Sequence, residues 1–227
     1  MFTVSRLSLE KARRLQLLLA EKVIRVDCLP DPVRCVAGVD VAYTKAESIG
    51  AVAVFDYGSM KPVEERTSQQ ITRFPYVPTL LSFRELPPAV SAIRKLRTKP
   101  DVFLVDGHGL AHPRHLGFAS HLGLVLDAPT IGVAKSLLCG EVEETKNVHW
   151  RPIIFEGETV GAAVFTRLDA KPVYVSIGHK VALETAIKIV LHCAGRYRVP
   201  EPIREAHLTA QGMKRRTTDD KSVKKHL

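Results

Sequence analysis

Three strand-like segments follow one another between residues 35 and 72, separated only by short polar connections. Cys35–Tyr43 and Ile49–Tyr57 are rich in small and β-branched residues, and a third segment covers about Pro62–Thr72. Parallel strands need a long crossover between them, whereas antiparallel neighbours can be joined by a tight turn. The connections at Thr44–Ser48 and Gly58–Lys61 therefore predict three antiparallel, hairpin-like strands.

Helices and strands alternate in the remainder of the chain. A buried strand, a helix and a second strand form a βαβ-like unit at Asp101–Asp106, near Leu116–Leu126 and at Thr130–Ala134. Three strands are then predicted at Trp150–Phe155, Thr159–Arg167 and Val173–Ser176, followed by a helix at Val181–Ala194. A last short helix carries His207. Together these patterns predict an α/β fold with a mixed sheet.

Two consecutive prolines interrupt the helical stretch that follows Tyr76–Pro78. Proline removes a backbone N–H and clashes in a helix interior, but its fixed φ suits the first turn of a helix. The sequence therefore predicts one helix before Pro87 and a second helix over Pro88–Leu96.

The size of the chain and the absence of an obvious linker favour a single domain. Its 227 residues, 45% of them hydrophobic, suffice for one full core. We expect residues 1–211 to form that domain. Residues 212–227 hold six basic residues and almost no large apolar ones, so a disordered tail is predicted there.

A surplus of positive charge points to a polyanionic partner. Lys and Arg number 33 against 24 Asp and Glu, which gives a formal net charge of +9. Such a surplus favours nucleic acid, because Lys and Arg neutralise phosphates and release their counterions. The alternative is a protein that is basic without binding nucleic acid.

Cysteine usage and hydropathy favour the cytoplasm. Cys28, Cys35, Cys139 and Cys193 include no C-x-x-C pair, so we expect free thiols in a reducing compartment. Charged residues interrupt the apolar residues near the N-terminus, and no apolar run approaches the length of a membrane span. A soluble protein without a signal peptide or membrane segment is expected.

Asp40 lies in the middle of an apolar strand, VAGVDVAY. A buried, ionised carboxylate is costly unless it is paired or bound to a metal. The alternative is a half-buried strand with Asp40 on its solvent face, since Gly38, Asp40 and Ala42 share one face. Their small side chains could equally leave room for a substrate backbone.

Asp106 ends an apolar strand and enters the glycine-rich turn DGHG. Sites in α/β folds lie at the carboxyl ends of strands, although Asp-Gly is also a common turn. Glu85 taken alone would be a solvated helix carboxylate or a partner for Arg84. Three carboxylates from separate segments can, however, converge on Mg²⁺ or Mn²⁺, and two such ions can stabilise both the attacking and the leaving oxygen of a phosphoryl displacement.

Four histidines within residues 108–121 suggest zinc as an alternative: His108, His112, His115 and His121. Their spacing matches no established zinc motif, so hydrogen-bonding or phosphate-facing roles are favoured. Lys135 ends the strand TIGVAK and would point a cation at the sheet end that holds Asp106; the alternative is a solvated lysine.

Six segments, in this order, resemble the endonuclease V family, the deoxyinosine-directed repair nucleases. They are VAGVDVAY around Asp40, FPYVPTLLSFRE ending at Glu85, DVFLVDGHGLAHPRHLGFASHLG from Asp101, PTIGVAKSLL from Pro129, YVSIGHKV from Tyr174 and YRVPEPIREAH ending at His207. The segments span nearly the whole chain, which makes the resemblance specific.

The resemblance implies an RNase H-like mixed β-sheet flanked by helices, and Mg²⁺-dependent hydrolysis of the second phosphodiester bond 3′ to deoxyinosine in DNA. It implies that Asp40, Glu85 and Asp106 bind the metal. His207 matches a family position near the metals that is occupied by His or Asp. Lys135 resembles the family's phosphate-contacting lysine.

The resemblance also implies how a lesion is bound. Tyr76, beside Pro78, resembles the wedge residue that fills the gap left by a displaced base. Gly109, His112 and Gly117 are expected near the base pocket. Thr79 departs from the family pattern, because many members carry glycine there, which would ease the turn behind the wedge.

Three functions remain open at this point. The first is a monomeric Mg²⁺-dependent DNA repair endonuclease, in which Mn²⁺ could replace Mg²⁺. The second is a nuclease of the same fold that acts on inosine in RNA. The third is a catalytically silent nucleic-acid-binding protein.

Overall fold

The computed structural model describes residues 9–146 and 149–223, and its centre is a mixed β-sheet. The strands are β1 Cys35–Tyr43, β2 Glu47–Asp56, β3 Pro62–Ile71, β4 Val102–Asp106, β5 Thr130–Ala134, β6 Glu141–Val142, β7 Trp150–Phe155, β8 Glu158–Val164 and β9 Val173–His179. The helices are α1 Leu9–Ala20, α2 Ser82–Ile93, α3 Phe118–Leu126, α4 Leu183–Ala194 and α5 Glu201–Val223.

Within the described residues the strand order is β3-β2-β1-β4-β5-β9-β8-β7-β6. Strands β1 to β3 pair antiparallel, as their short connections predict. Strand β4 lies parallel between β1 and β5, and β9, β8 and β7 continue antiparallel from β5. The predicted α/β fold with a mixed sheet flanked by helices is confirmed.

Helices cover both faces of β1 and β2, and two glycines let them approach closely. A Cβ on Gly38 would lie 1.9 Å from the carbonyl oxygen of Pro202 on α5, and a Cβ on Gly50 would lie 2.2 Å from that of Pro88 on α2. Ala42 packs in a small cluster with Ala210 of α5. The small residues beside Asp40 therefore make room for α5, not for solvent or a substrate backbone.

The prediction that Pro87 and Pro88 divide two helices is wrong. Helix α2 runs unbroken from Ser82 to Ile93 and contains both prolines. Its inward residues, including Pro88 and Ala89, are buried against the sheet. Packing of this face outweighs the backbone hydrogen bonds that the prolines remove.

Helix α5 is much longer than the short helix predicted around His207, and it continues to Val223. This differs from the predicted disordered tail over residues 212–223; residues 224–227 lie outside the described part. The helix packs along the β1–β3 half of the sheet, with Ala206 and Ala210 buried. Thr217 Oγ1 also donates a hydrogen bond to Oε1 of Gln69 on β3 (3.2 Å), which gives the basic segment a docking contact.

The extent of the domain stays a prediction, and residues 1–8 lie outside the described part. Among residues 9–146 and 149–223, no helix is long and apolar enough to cross a membrane.

Candidate metal centre and adjoining cavity

Asp40 and Asp106 lie side by side because of the parallel register of β1 and β4. Val39 is paired with Val105, so the next residue on each strand is one of the two aspartates. Asp40 is 8% exposed. Its Oδ1 accepts a hydrogen bond from the Val41 N–H at 2.7 Å, and its Oδ2 lies 2.7 Å from Nδ1 of His207 on α5.

Asp40, Asp106 and His207 form the one group of potential metal ligands found among the described residues. Each offers one ligand atom, and these atoms all lie within 4.8 Å of one another. The four histidines within residues 108–121 form no such group in the described part of the chain, so the structure gives the zinc alternative no support.

Glu85 adds a third carboxylate from the first turn of α2. Burial, together with the charges of Asp40 and Asp106, raises the pKa of its carboxyl to about 8, although Arg84 acts in the lowering direction. Glu85 is not one of the three residues whose ligand atoms lie within 4.8 Å of one another. The charges of both aspartates nevertheless act on the pKa of its carboxyl.

Asp106 shares this crowding of negative charge. Burial and the nearby Asp40 raise the pKa of its carboxyl, and Lys135 and His207 lower it. Lys135 Nζ donates to Asp106 Oδ2 at 2.5 Å, and the lysine side chain is 47% exposed. Three carboxylates with one such lysine leave an excess of negative charge, which a hard divalent cation would neutralise.

A cavity of about 300 Å³ opens beside these carboxylates. Glu85 and Asp106 form part of its wall. The loop before α2 contributes others, among them Tyr76, which is 69% exposed, and Pro78. A carboxylate centre is thereby joined to a partly open cavity lined by apolar and polar groups, the arrangement expected of a ligand site.

His112 and Gly117 line this cavity, but Gly109 does not. Gly109 is buried against β9, where its N–H donates to Ser176 Oγ at 2.9 Å and a Cβ would lie 2.1 Å from the Ile177 carbonyl oxygen. Its carbonyl oxygen accepts the N–H of Gly117 at 2.9 Å, so Gly109 lies beside the cavity lining and its place near the base pocket stays a prediction. Its glycine is required by close packing of the turn after β4 onto β9.

The histidines near the cavity are held neutral. Burial lowers the pKa of His108, His112 and His121 to about 4 in each case. His112 Nδ1 accepts the Arg114 N–H at 3.1 Å, and His112 Nε2 lies 3.1 Å from the Thr79 carbonyl oxygen, so Nε2 carries the proton. His115 lies further out, with Nε2 3.8 Å from Glu156.

Sequence reasoning missed several cavity residues, of which Gln16 is the most informative. It is fully buried on α1, a helix whose leucines are mostly exposed, and it lines the cavity. A glutamine in a leucine-rich helix carries no signal that it turns inward. Gly107 and Leu138 also line the cavity and were not predicted.

Comparisons with known proteins identify relatives over nearly the whole chain. The family model described as Endonuclease V matches residues 18–208. Endonuclease V of Thermofilum pendens is 49% identical over 215 residues, covering 94% of this chain and 92% of its own.

Solved structures are also similar to this chain. Endonuclease V from Streptomyces avermitilis has a TM-score of 0.86 at 37% identity, covering 93% of this chain and 95% of its own. Ciona intestinalis endonuclease V, in complex with a 24mer DNA containing an inosine followed by a ribo-adenosine, has a TM-score of 0.83 at 33% identity. It covers 92% of this chain and 98% of its own.

Proposed function

The chain belongs to the endonuclease V family, and from this membership we propose that it is a repair nuclease acting on deoxyinosine in DNA. It hydrolyses the second phosphodiester bond 3′ to the lesion and leaves a 3′-hydroxyl and a 5′-phosphate. The observation that carries the proposal is the carboxylate centre of Asp40, Glu85 and Asp106, because two of its members, Glu85 and Asp106, line a cavity.

The donor set fits a hard divalent cation, Mg²⁺ with Mn²⁺ as a substitute. Carboxylate oxygens are the ligands that these ions prefer, and burial together with mutual repulsion of the carboxylates raises the pKa values of Glu85 and Asp106. Asp40, Glu85 and Asp106 would hold the ion, with His207 beside them. When bound, the ion activates water and neutralises charge that develops on the phosphate.

The remaining residues of the centre neutralise negative charge on the phosphate and orient a carboxylate ligand. Lys135 is anchored on Asp106 and half exposed, so its Nζ can turn to a phosphate oxygen and stabilise negative charge there. His207 holds Oδ2 of Asp40 and fixes the orientation of that carboxylate. Each is therefore a partner of a carboxylate ligand before substrate arrives.

The cavity and the exposed Tyr76 support a base-displacement step. An enzyme that acts beside a damaged base takes that base out of the stack, and an aromatic ring can occupy the gap. Tyr76 stands exposed at the cavity, whose wall includes His112 and Gly117. The displaced hypoxanthine would enter that cavity while the sugar-phosphate backbone of its strand passes over the carboxylates.

A second substrate is inosine in RNA. The Ciona relative binds an oligonucleotide in which a ribo-adenosine follows the inosine, so a ribose at that position is compatible with the family's site. The net charge of +9 suits either polymer.

The decisive experiment compares matched inosine oligonucleotides. Deoxyinosine duplex, the same duplex with ribose 3′ to the inosine, and inosine RNA are incubated with Mg²⁺, and the cut bond is mapped. We expect cleavage of the deoxyinosine duplex at the second bond, abolished by chelation and absent from an adenine control. Binding without cleavage at any Mg²⁺ or Mn²⁺ concentration would favour a silent binding protein, and cleavage of RNA alone would favour the endoribonuclease.

Three further assignments belong to this proposal. The protein acts as one domain and as a monomer. It acts in the cytoplasm, which the four cysteines support, since all are free thiols in the structure.

A further inference from the structure

Thr79 holds a left-handed backbone conformation three residues after the exposed Tyr76. Its φ is 66°, a region that non-glycine residues rarely occupy because Cβ crowds the backbone, least of all when they are β-branched. Such a conformation persists only where surrounding contacts hold it. The contacts of Thr79 are therefore part of what shapes this loop.

The carbonyl group and the hydroxyl group of Thr79 are both hydrogen-bonded. Its carbonyl oxygen accepts a hydrogen bond from Nε2 of Gln16 at 2.8 Å and another from Nε2 of His112 at 3.1 Å. Its hydroxyl oxygen Oγ1 accepts a hydrogen bond from the guanidinium of Arg114. The left-handed conformation of Thr79 is thus stabilised by hydrogen bonds to its backbone carbonyl and to its side-chain hydroxyl.

The groups that hold Thr79 are themselves connected. Arg114 Nε donates to Oε1 of Gln16 at 2.7 Å, and Gln16 Nε2 also donates to the carbonyl oxygen of Leu116 at 3.2 Å. Gln16 is fully buried and uses its amide oxygen and its amide nitrogen in this network. Because the guanidinium is planar and rigid, Arg114 spans Gln16 and Thr79 in a fixed geometry.

This network lies in the wall of the cavity beside the carboxylates. Gln16, Thr79, His112 and Leu116 line that cavity together with Tyr76. A loop that is already ordered before the nucleic acid arrives loses less conformational entropy when it binds. The hydroxyl of Thr79 supplies a hydrogen bond that a glycine at this position could not form.

We propose that Thr79 is a positioning residue, whose hydroxyl is held by Arg114 and whose carbonyl oxygen is held by Gln16, so that the loop of Tyr76 and Pro78 is fixed for displacing a base from a duplex. This inference rests on the proposed function. A single strand presents no paired base to displace, so the held loop matters more for a duplex substrate than for a single-stranded one.

The experiment measures kcat and KM on the same deoxyinosine sequence as a duplex and as a single strand. Thr79→Val keeps the β-branched shape and removes the hydroxyl, and Thr79→Ser keeps the hydroxyl. We expect Thr79→Val to lower the duplex-to-single-strand ratio of kcat/KM about five-fold, mainly through KM, as the loss of one hydrogen bond predicts. Thr79→Ser is expected to keep the wild-type ratio.

Two further variants separate the effect of the hydrogen bond between Arg114 and Thr79 from an effect on general stability. Arg114→Ala should lower the ratio as Thr79→Val does, and the double variant should be no worse than either single one, because both remove the same hydrogen bond. Thr185→Val is the matched control. Thr185 lies on α4, outside the cavity wall, and its hydroxyl donates a hydrogen bond to Asp27 at 2.7 Å. Loss of this hydroxyl should leave the ratio unchanged.

The outcomes are distinct. An unchanged ratio in folded Thr79→Val, or an equal loss on both substrates, overturns the positioning role and leaves the proposed function intact. A wild-type protein that cleaves neither substrate overturns the proposed function, and this inference with it.

Discussion

Nδ1 of His207 lies 2.7 Å from Oδ2 of Asp40, across a sequence separation of 167 residues. Asp40 lies in β1, and α5 carries His207 over it because Gly38 allows the helix backbone to approach. The Asp40 side chain is 11% exposed and that of His207 43%. The pair therefore joins a buried carboxylate to an imidazole that solvent and substrate can reach.

Removing the charge of either buried aspartate should abolish catalysis. Asp40→Asn and Asp106→Asn keep the shape of the side chain but weaken the attraction for a divalent cation, and we expect kcat to fall at least about 100-fold. Cleavage assays and calorimetric Mg²⁺ titration measure both effects. Asp169→Asn, which changes an exposed carboxylate bound to Arg167, should behave as wild type. Wild-type Mg²⁺ affinity in both site variants would contradict the metal assignment.

Replacement of His207 should separate metal affinity from folding. His207→Ala leaves Asp40 without its orienting partner, and we expect the Mg²⁺ concentration for half-maximal activity to rise about 10-fold or more. His207→Asp supplies an oxygen ligand and should retain most activity. Equal and complete loss in both variants would show that the imidazole does something other than support the metal centre.

Lys135 should matter for the chemical step. Lys135→Ala removes the cation bound to Asp106, and we expect kcat to fall about 100-fold with a small change in substrate Kd. Single-turnover kinetics with a deoxyinosine duplex measure this. Lys61→Ala is the control, because the turn between β2 and β3 lies at the opposite end of the sheet. A variant affected only in Kd would assign Lys135 to binding.

Tyr76 should contribute to duplex binding through its aromatic ring. Tyr76→Ala removes an aromatic surface that can stack on bases, and we expect the Kd for a deoxyinosine duplex to rise about 10-fold. Tyr76→Phe keeps the ring and should bind as wild type. Binding is measured by fluorescence anisotropy with Ca²⁺ in place of Mg²⁺. Loss of affinity in the phenylalanine variant as well would place the hydroxyl, not the ring, at the interface.

Stability should fall in acid because of buried neutral histidines. Folding lowers the pKa of His121 from 6.5 to about 4, so protons bind the unfolded state more readily. The stabilisation from a neutral His121 is complete above pH 6.5 and is lost as the pH falls towards 4, by at most about 3 kcal/mol. We expect the free energy of unfolding to decline over this window, and less steeply in His121→Gln.

Denaturant titrations at several pH values measure that slope. His192→Gln is a matched control, because His192 lies exposed on α4, where it contacts Tyr57. Identical slopes for wild type and His121→Gln would show that other groups cause the acid sensitivity.

Local patterns predicted those parts of the fold that neighbouring residues control. The bounds of β1, β5 and β7 were predicted from runs of strand-forming residues. The course of α2 through Pro87 and Pro88 was not, because burial of the helix face against β2 outweighs a local preference. The length of α5 was also missed, since its contacts with β3 come from residues far away in the sequence.

Sequence by itself determined which side chains are proposed to carry the chemistry, because a carboxylate such as Asp40 in an apolar strand is costly without a partner, and the ordered segments match one family. Only the tertiary structure decided how these groups meet. The β1–β4 register places Asp106 beside Asp40, and α5 brings His207 onto the same carboxylate. It also decided that Gly109 serves packing and that Thr79 is held by Gln16 and Arg114, since distances between remote segments are not encoded in any local pattern.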